Sequence, residues 1–212
     1  MKKRAILLCG GSGTRFGGNK LFADLEGKQV FIYALEIFAD LIGLENCILA
    51  IPEGQDQAFI NILKQYKLQA VKLCYGGKER YNSVLNGLEC CDENDLVAIH
   101  DAARPFIKAD LVEKVYSAAE KKGGAILCKK VTDTTKRIDS EGKLSTLNRE
   151  YLFAAETPQI FPCQDLKKAL NLAIEKHFHL TDDAHAMELA GYQYELVTHE
   201  VNNRKITYSS DL

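Results

Sequence analysis

An α/β fold with a mostly parallel sheet covered by helices is predicted by this sequence on three observations. Short aliphatic runs alternate with helical patterns as far as Val131. The first run empties into a glycine-rich loop, LLCGGSGTRFGGNKL, at residues 7–21. The alternation then breaks between Asp133 and Phe161, where two polar extended segments flank the turn Asp139-Ser140-Glu141-Gly142. Strand–helix alternation implies parallel strands joined by crossover helices. The architecture expected is therefore one Rossmann-like domain over residues 1–212, with a projecting β-hairpin arm at about 133–161.

Ala5 to Leu8 is a continuous apolar run stopped by glycine, too short for a helix and suited to a buried strand. Val30 to Leu41 repeats its apolar residues at helical spacing. Cys47 to Ile51 is again strand-like, Asp56 to Tyr66 helical, and Val71 to Leu73 a short strand. A helix near Glu79 to Cys90 precedes the strand Leu96 to Ile99, and a helix near Ala109 to Lys122 precedes the strand Ala125 to Val131. After the arm, helices are expected at Gln164 to Lys176 and Asp182 to Ala190, with a strand near Tyr194 to Val197. An arm so poor in apolar residues is marginal alone, so it is expected to pack on a partner subunit and make a homodimer.

Composition narrows the partners. A formal charge of −2 supplies no basic field for nonspecific nucleic-acid binding. No run of about 18 apolar residues suggests a membrane span, and MKKRAILLCGG reaches glycine too soon for a signal-peptide core. A cytoplasmic enzyme is expected. The seven cysteines are scattered without a C-x-x-C pair, as suits reduced, buried thiols.

The glycine-rich loop fits neither common phosphate cradle. A Walker loop needs glycine before its lysine and Ser or Thr after it, whereas Lys20 lies between Asn19 and Leu21. A dinucleotide fingerprint meets Phe16 at its third glycine position. Two cations on the loop instead suit a departing pyrophosphate, whose growing charge needs fixed positive groups and backbone N–H donors. Arg15 and Lys20 are the catalytic candidates, with Gly10, Gly11, Ser12 and Gly13 as the nucleotide cradle. In GGKERYNSV, Gly77 and Ser83 follow a strand and open a helix, where N–H groups and a hydroxyl can read a pyrimidine edge. Asp101 follows the strand Leu96 to Ile99 at the carboxyl end, where it can bind a ribose hydroxyl or help hold hydrated Mg²⁺ against the phosphates.

GGSGTRF followed by lysine resembles the signature of nucleotidyltransferases acting on sugar or polyol phosphates. GGKERYNSV, HDAARPF, DTTKR, TPQIF, LTDDA and NNRKIT, spread over nearly the whole chain in this order, resemble the 2-C-methyl-D-erythritol 4-phosphate cytidylyltransferases of the non-mevalonate isoprenoid pathway. The resemblance implies CTP and a polyol phosphate as substrates and Mg²⁺ as cofactor. It assigns Arg15 and Lys20 to the triphosphate, and Gly77 and Ser83 to cytosine. The dianionic acceptor falls to Arg149 and Lys205, with Thr134, Thr157 and Thr181 adding hydroxyls and Asp182 accepting from the polyol. It also implies that the arm carries Thr134 or Arg149 into a neighbouring subunit.

His100 reads as structural, because a phosphate monoester nucleophile is already ionised and needs no base. Arg104, before Pro105, reads as pinning its loop, with contact to the nucleotide as the alternative. Lys78 stands where the family often has an acidic residue, and Asn19-Lys20 replaces Pro-Lys in a shorter loop. Gly10, where the erythritol enzymes often have alanine, is more like the ribitol-5-phosphate cytidylyltransferases. Ala102-Ala103, DTTKR and NREYLFAAETPQ lean to the erythritol enzymes. A ribitol-5-phosphate cytidylyltransferase making CDP-ribitol is the alternative, and a non-catalytic nucleotide-binding regulator a more distant one.

Overall fold

The computed structural model describes residues 1–10, 16 and 19–212. In chain order the elements are β1 (Lys3–Leu8), β2 (Asp24–Leu25), β3 (Lys28–Gln29), α1 (Val30–Ile42), β4 (Cys47–Ile51), α2 (Asp56–Gln65), β5 (Lys72–Tyr75), α3 (Arg80–Leu88) and β6 (Leu96–Asp101). Then follow α4 (Ala109–Lys122), β7 (Ala125–Lys130), β8 (Lys136–Ile138), β9 (Leu144–Thr146), β10 (Phe153–Pro162), α5 (Cys163–Glu175), α6 (Asp183–Leu189) and β11 (Glu195–Thr198).

Seven strands form one sheet in the order β11-β7-β10-β6-β1-β4-β5. β1 pairs in parallel with β4 and β6, β4 with β5, and β7 with β11; β10 runs antiparallel between β6 and β7. The continuous apolar run of β1 serves two faces because successive side chains point to opposite sides. Ala5 and Leu7 pack with α1, α2 and α4, whereas Ile6 and Leu8 pack with α3, α5 and α6. That double burial is why β1 reads as an uninterrupted hydrophobic stretch rather than an alternating one. Helix α4 stops at Gly123, whose positive φ of 79° returns an N–H to the Ala119 carbonyl, the usual glycine helix end.

The chain leaves β1 toward β4 and β5, then crosses back to β6 on the other side. Ligands in open α/β sheets bind outside the strand carboxyl ends at such a reversal. Cys9-Gly10 and Asp101 stand there.

The arm is shorter than the sequence suggested. β8 and β9 pair around the Asp139 turn, where Asp139 Oδ1 accepts from the N–H groups of Glu141 and Lys143 at 3.0 and 2.9 Å. Residues Phe153 to Phe161, expected within the arm, instead form most of β10 and enter the central sheet. The reason is burial: Thr157 to Phe161 are enclosed, with Ile160 and Phe161 in the two cores. The ladder with β7 shifts register between Ala155 and Gln159, which turns Glu156, Thr157 and Pro158 out of regular pairing.

Candidate active site

Two glycines after β5 let the chain pass close to the start of α3. A Cβ on Gly76 would lie 2.9 Å from Ser83 Oγ, and one on Gly77 would run into Asn82 Cβ. With the glycines in place, the Gly77 N–H donates to Ser83 Oγ at 3.0 Å. Ser83 is nearly buried, and its own O–H keeps a donor beside the β5–α3 turn. Gly10 approaches the same hydroxyl from β1, but a Cβ there would stand 3.9 Å away, an ordinary contact. Gly77 and Ser83 thus form one unit in the structure, whereas a Cβ at Gly10 would meet only an ordinary contact among the described residues. Gly11, Ser12, Gly13 and Arg15 lie outside the described residues.

Asp101, at the carboxyl end of β6, gathers three cations. Lys205 Nζ donates to its Oδ2 at 2.7 Å, while Arg80 Nε and Arg104 Nε stand at 3.7 and 4.0 Å. Burial alone would raise the Asp101 pKa, but Arg80, Lys205 and Arg104 outweigh it and hold the carboxyl well below the usual range. Arg80 reaches further, to Asp183 at 2.8 Å. Burial raises the Asp183 pKa and opposes the charge of Arg80, yet Asp183 and Asp101 together keep the guanidinium charged. Lys205, read as an acceptor ligand, and Asp101, read as a nucleotide or metal ligand, are thus direct neighbours although 104 positions apart.

The TPQ and TDD segments meet the same place from β10 and α6. Thr157 is buried, and its hydroxyl accepts from the Asp101 N–H at 3.1 Å and meets His100 Nδ1 at 3.2 Å. Its hydroxyl therefore orients Asp101 from behind. His100 is fully buried, with Nε2 3.3 Å from the Arg104 carbonyl, and burial lowers its pKa to about 4. The ring is neutral and enclosed, which agrees with a structural role. Gln159 locks α6: its Oε1 accepts from the N–H groups of Asp183 and Ala184, and its Nε2 donates to Asp182 Oδ2 at 2.8 Å. Asp182 also caps α6 by accepting from the His185 N–H at 2.9 Å. Thr181 is exposed, 3.3 Å from His185 Nδ1.

Thr134 and Arg149 stand exposed on the arm, where Arg149 donates to the Thr132 carbonyl. Among the described residues, no hydrogen bond or ion pair joins either of them to the Asp101 cluster within one chain. Lys20 contributes to the positive field at Asp211, whose carboxyl is held low first by the N–H groups of Tyr208 and Thr207. This places Lys20 near the C-terminal segment that carries Lys205.

Sequence reasoning left Arg80, Glu156, Gln159, Asp183 and Asn203 without roles. Arg80 had a signal: a cation at the first residue of a helix opposes the dipole, which asks for a carboxylate partner. Glu156 had one too, as the single charge in the run FAAETPQIF. Among the described residues, no group of three or more His, Cys, Asp or Glu is arranged to hold a metal ion.

Comparison with known proteins bears on the same residues. The family model for 2-C-methyl-D-erythritol 4-phosphate cytidylyltransferase matches residues 4–212. The cytidylyltransferase of that name from Bacillus velezensis is 37% identical over 216 residues, covering 100% of this chain and 93% of that protein. Its counterpart from Carboxydothermus hydrogenoformans is 36% identical, covering 98% and 91%. Among solved structures, 4-diphosphocytidyl-2C-methyl-D-erythritol synthase from Anaerococcus prevotii superposes with a TM-score of 0.87 at 27% identity, covering 99% of this chain and 92% of that one. The cytidylyltransferase from Thermus thermophilus does so with 0.80 at 29% identity, covering 100% and 95%. A match that runs from β1 through the Asp101 and Lys205 segments takes in the whole cluster, and the chain belongs to the 2-C-methyl-D-erythritol 4-phosphate cytidylyltransferase family.

Proposed function

We propose that this enzyme transfers the cytidylyl group of CTP to 2-C-methyl-D-erythritol 4-phosphate, forming 4-diphosphocytidyl-2-C-methyl-D-erythritol and pyrophosphate. The observation that carries this reading is the Asp101–Lys205 pair at the sheet reversal, one strand away from β1 and its phosphate loop. An oxygen of the acceptor phosphate attacks the α-phosphorus, and the bond to the bridging oxygen breaks with its electron pair leaving on pyrophosphate. No general base is needed because the nucleophile is already anionic. Arg15 and Lys20 stabilise the departing charge, the Gly76-Gly77 turn with Ser83 reads the base, and Lys205 and Arg149 bring the acceptor dianion in.

The Asp101 carboxyl, held well below its usual pKa range at the strand end, fits Mg²⁺ as a cofactor and would help hold the hydrated ion against the phosphates. Bound there, it would neutralise triphosphate charge.

A homodimer through the arm is part of the proposal. Ile138, Leu144 and Tyr151 are 67%, 66% and 79% exposed, an apolar surface that calls for cover. A second subunit would provide it and take Thr134 or Arg149 into its own acceptor site. The seven cysteines are all free thiols, several pushed up in pKa by burial, Cys47 to about 12, which suits a reducing cytoplasm. No helix among the described residues is long and apolar enough to cross a membrane.

Ribitol 5-phosphate drew its support from Gly10, whereas Ala102-Ala103, DTTKR and NREYLFAAETPQ and the family match over residues 4–212 favour methylerythritol phosphate. Pyrophosphate release is the test, with CTP and either polyol phosphate. A higher kcat/KM for methylerythritol phosphate is expected. Preference for ribitol 5-phosphate would overturn the acceptor, and no release with either would overturn the activity.

A further inference from the structure

Lys205 is carried on a stretch with no regular secondary structure, between the end of β11 and Ser209, so something other than a backbone ladder must place its ammonium beside Asp101. The candidate lies behind the site. Glu156 Oε2, at the register shift of β10, accepts from Asn203 Nδ2 at 2.7 Å, lies 3.1 Å from His199 Nε2, and pairs with Arg104 Nη1 at 3.6 Å. One carboxylate oxygen thus gathers three chain segments. Asn203 is fully buried and is gripped twice more: its Nδ2 donates to the Thr157 carbonyl at 3.1 Å, and its main-chain carbonyl accepts from Arg104 Nη1 at 2.8 Å. Three residues further on, the buried Ile206 donates its N–H to the Ala103 carbonyl at 2.8 Å. Lys205 is strung between these two fixed points.

We propose that Glu156 and Asn203 are positioning residues for the acceptor site, clamping the C-terminal segment to β10 so that Lys205 meets the acceptor phosphate. The inference rests on the proposed acceptor role of Lys205. Arg104 couples the clamp to Asp101 itself, since its Nη1 faces Glu156 while its Nε faces Asp101. The two carboxylates lie on either side of one guanidinium, and a displaced Glu156 lets Arg104 shift toward Asp101. Neither Glu156 nor Asn203 needs to touch substrate.

The test is steady-state kinetics on Lys205→Ala, Asn203→Ala, Glu156→Gln and the double variant Asn203→Ala/Lys205→Ala, with each substrate varied in turn. Glu156→Gln keeps the shape of the side chain and an acceptor for Asn203, so it guards against a loss that is only one of folding. Asn203→Ala is expected to raise the KM for the acceptor about tenfold, the scale of losing a hydrogen bond to a charged group, with the KM for CTP changed less than about twofold. Glu156→Gln should raise it in the same direction by a smaller factor. In the Lys205→Ala background, Asn203→Ala should add little further, because it acts through Lys205. Unchanged acceptor KM in both single variants would overturn the clamp, as would equal rises in both KM values or full additivity in the double variant. If Lys205→Ala itself left the acceptor KM unchanged, the acceptor assignment would have failed first, and the clamp with it.

Discussion

Replacing Asp101 with asparagine removes one charge from the centre of three and changes almost nothing else in shape. The 2.7 Å contact with Lys205 has full hydrogen-bond length, but the Lys205 side chain is 40% exposed, so water screens it and its share is about 1 kcal/mol. The arginines are more enclosed yet more distant, at 3.7 and 4.0 Å, and together contribute about 1–2 kcal/mol. Asp101→Asn should therefore cost about 2–3 kcal/mol of folding stability at pH 7. The Asp101 pKa is depressed in the folded protein, so this stabilisation is complete above the unfolded value near 4 and fades as pH falls through the folded value. Urea denaturation of both proteins at pH 7, 5 and 3 reads this directly. The gap should be equal at pH 7 and 5 and narrower at pH 3. A gap absent at pH 7, or one already halved at pH 5, would refute the assignment of three cations to an ionised Asp101.

Arg15→Ala and Lys20→Ala should each lower turnover by about 10²-fold or more, the scale of removing one preorganised charge stabiliser, as measured by pyrophosphate release at saturating substrates. Ser83→Ala leaves the Gly77 N–H without its acceptor and should raise the KM for CTP about tenfold with the acceptor KM unchanged. Gln159→Ala strips hydrogen bonds from Asp182 and from the first two N–H groups of α6, and should cost about 2–4 kcal/mol in thermal or denaturant unfolding. For the proposed homodimer through the arm, Tyr151→Lys together with Ile138→Lys should shift the protein toward monomer in sedimentation velocity and lower acceptor-dependent turnover.

The parallel core was legible because burial on two faces leaves continuous aliphatic runs that nothing else explains, as in Ala5 to Leu8 and Leu96 to Ile99. β10 was misplaced because an antiparallel strand inserted between β6 and β7 carries the polar buried residues Thr157 and Gln159, and these make the run look like part of a solvated arm. Their polarity is used inward, on Asp101 and on the α6 amides. The site was legible where a residue type has a local reason to exist, such as glycines at a close approach or a carboxylate at a strand end. Its long-range pairs were not. Nothing in the spacing of Asp101 and Lys205, or of Arg80 and Asp183, says that they touch; only tertiary folding, of the C-terminal segment against β6 and of α6 toward the start of α3, brings them together.

The reaction turns on a diphosphate bond formed between CMP and the polyol phosphate. Phosphorus NMR of the purified enzyme with CTP, Mg²⁺ and methylerythritol phosphate observes that bond. Turnover should remove the phosphomonoester resonance and the three CTP resonances, matched by equal amounts of pyrophosphate and a coupled pair from an unsymmetrical diphosphate diester. A phosphomonoester resonance that persists while CTP is hydrolysed would contradict it.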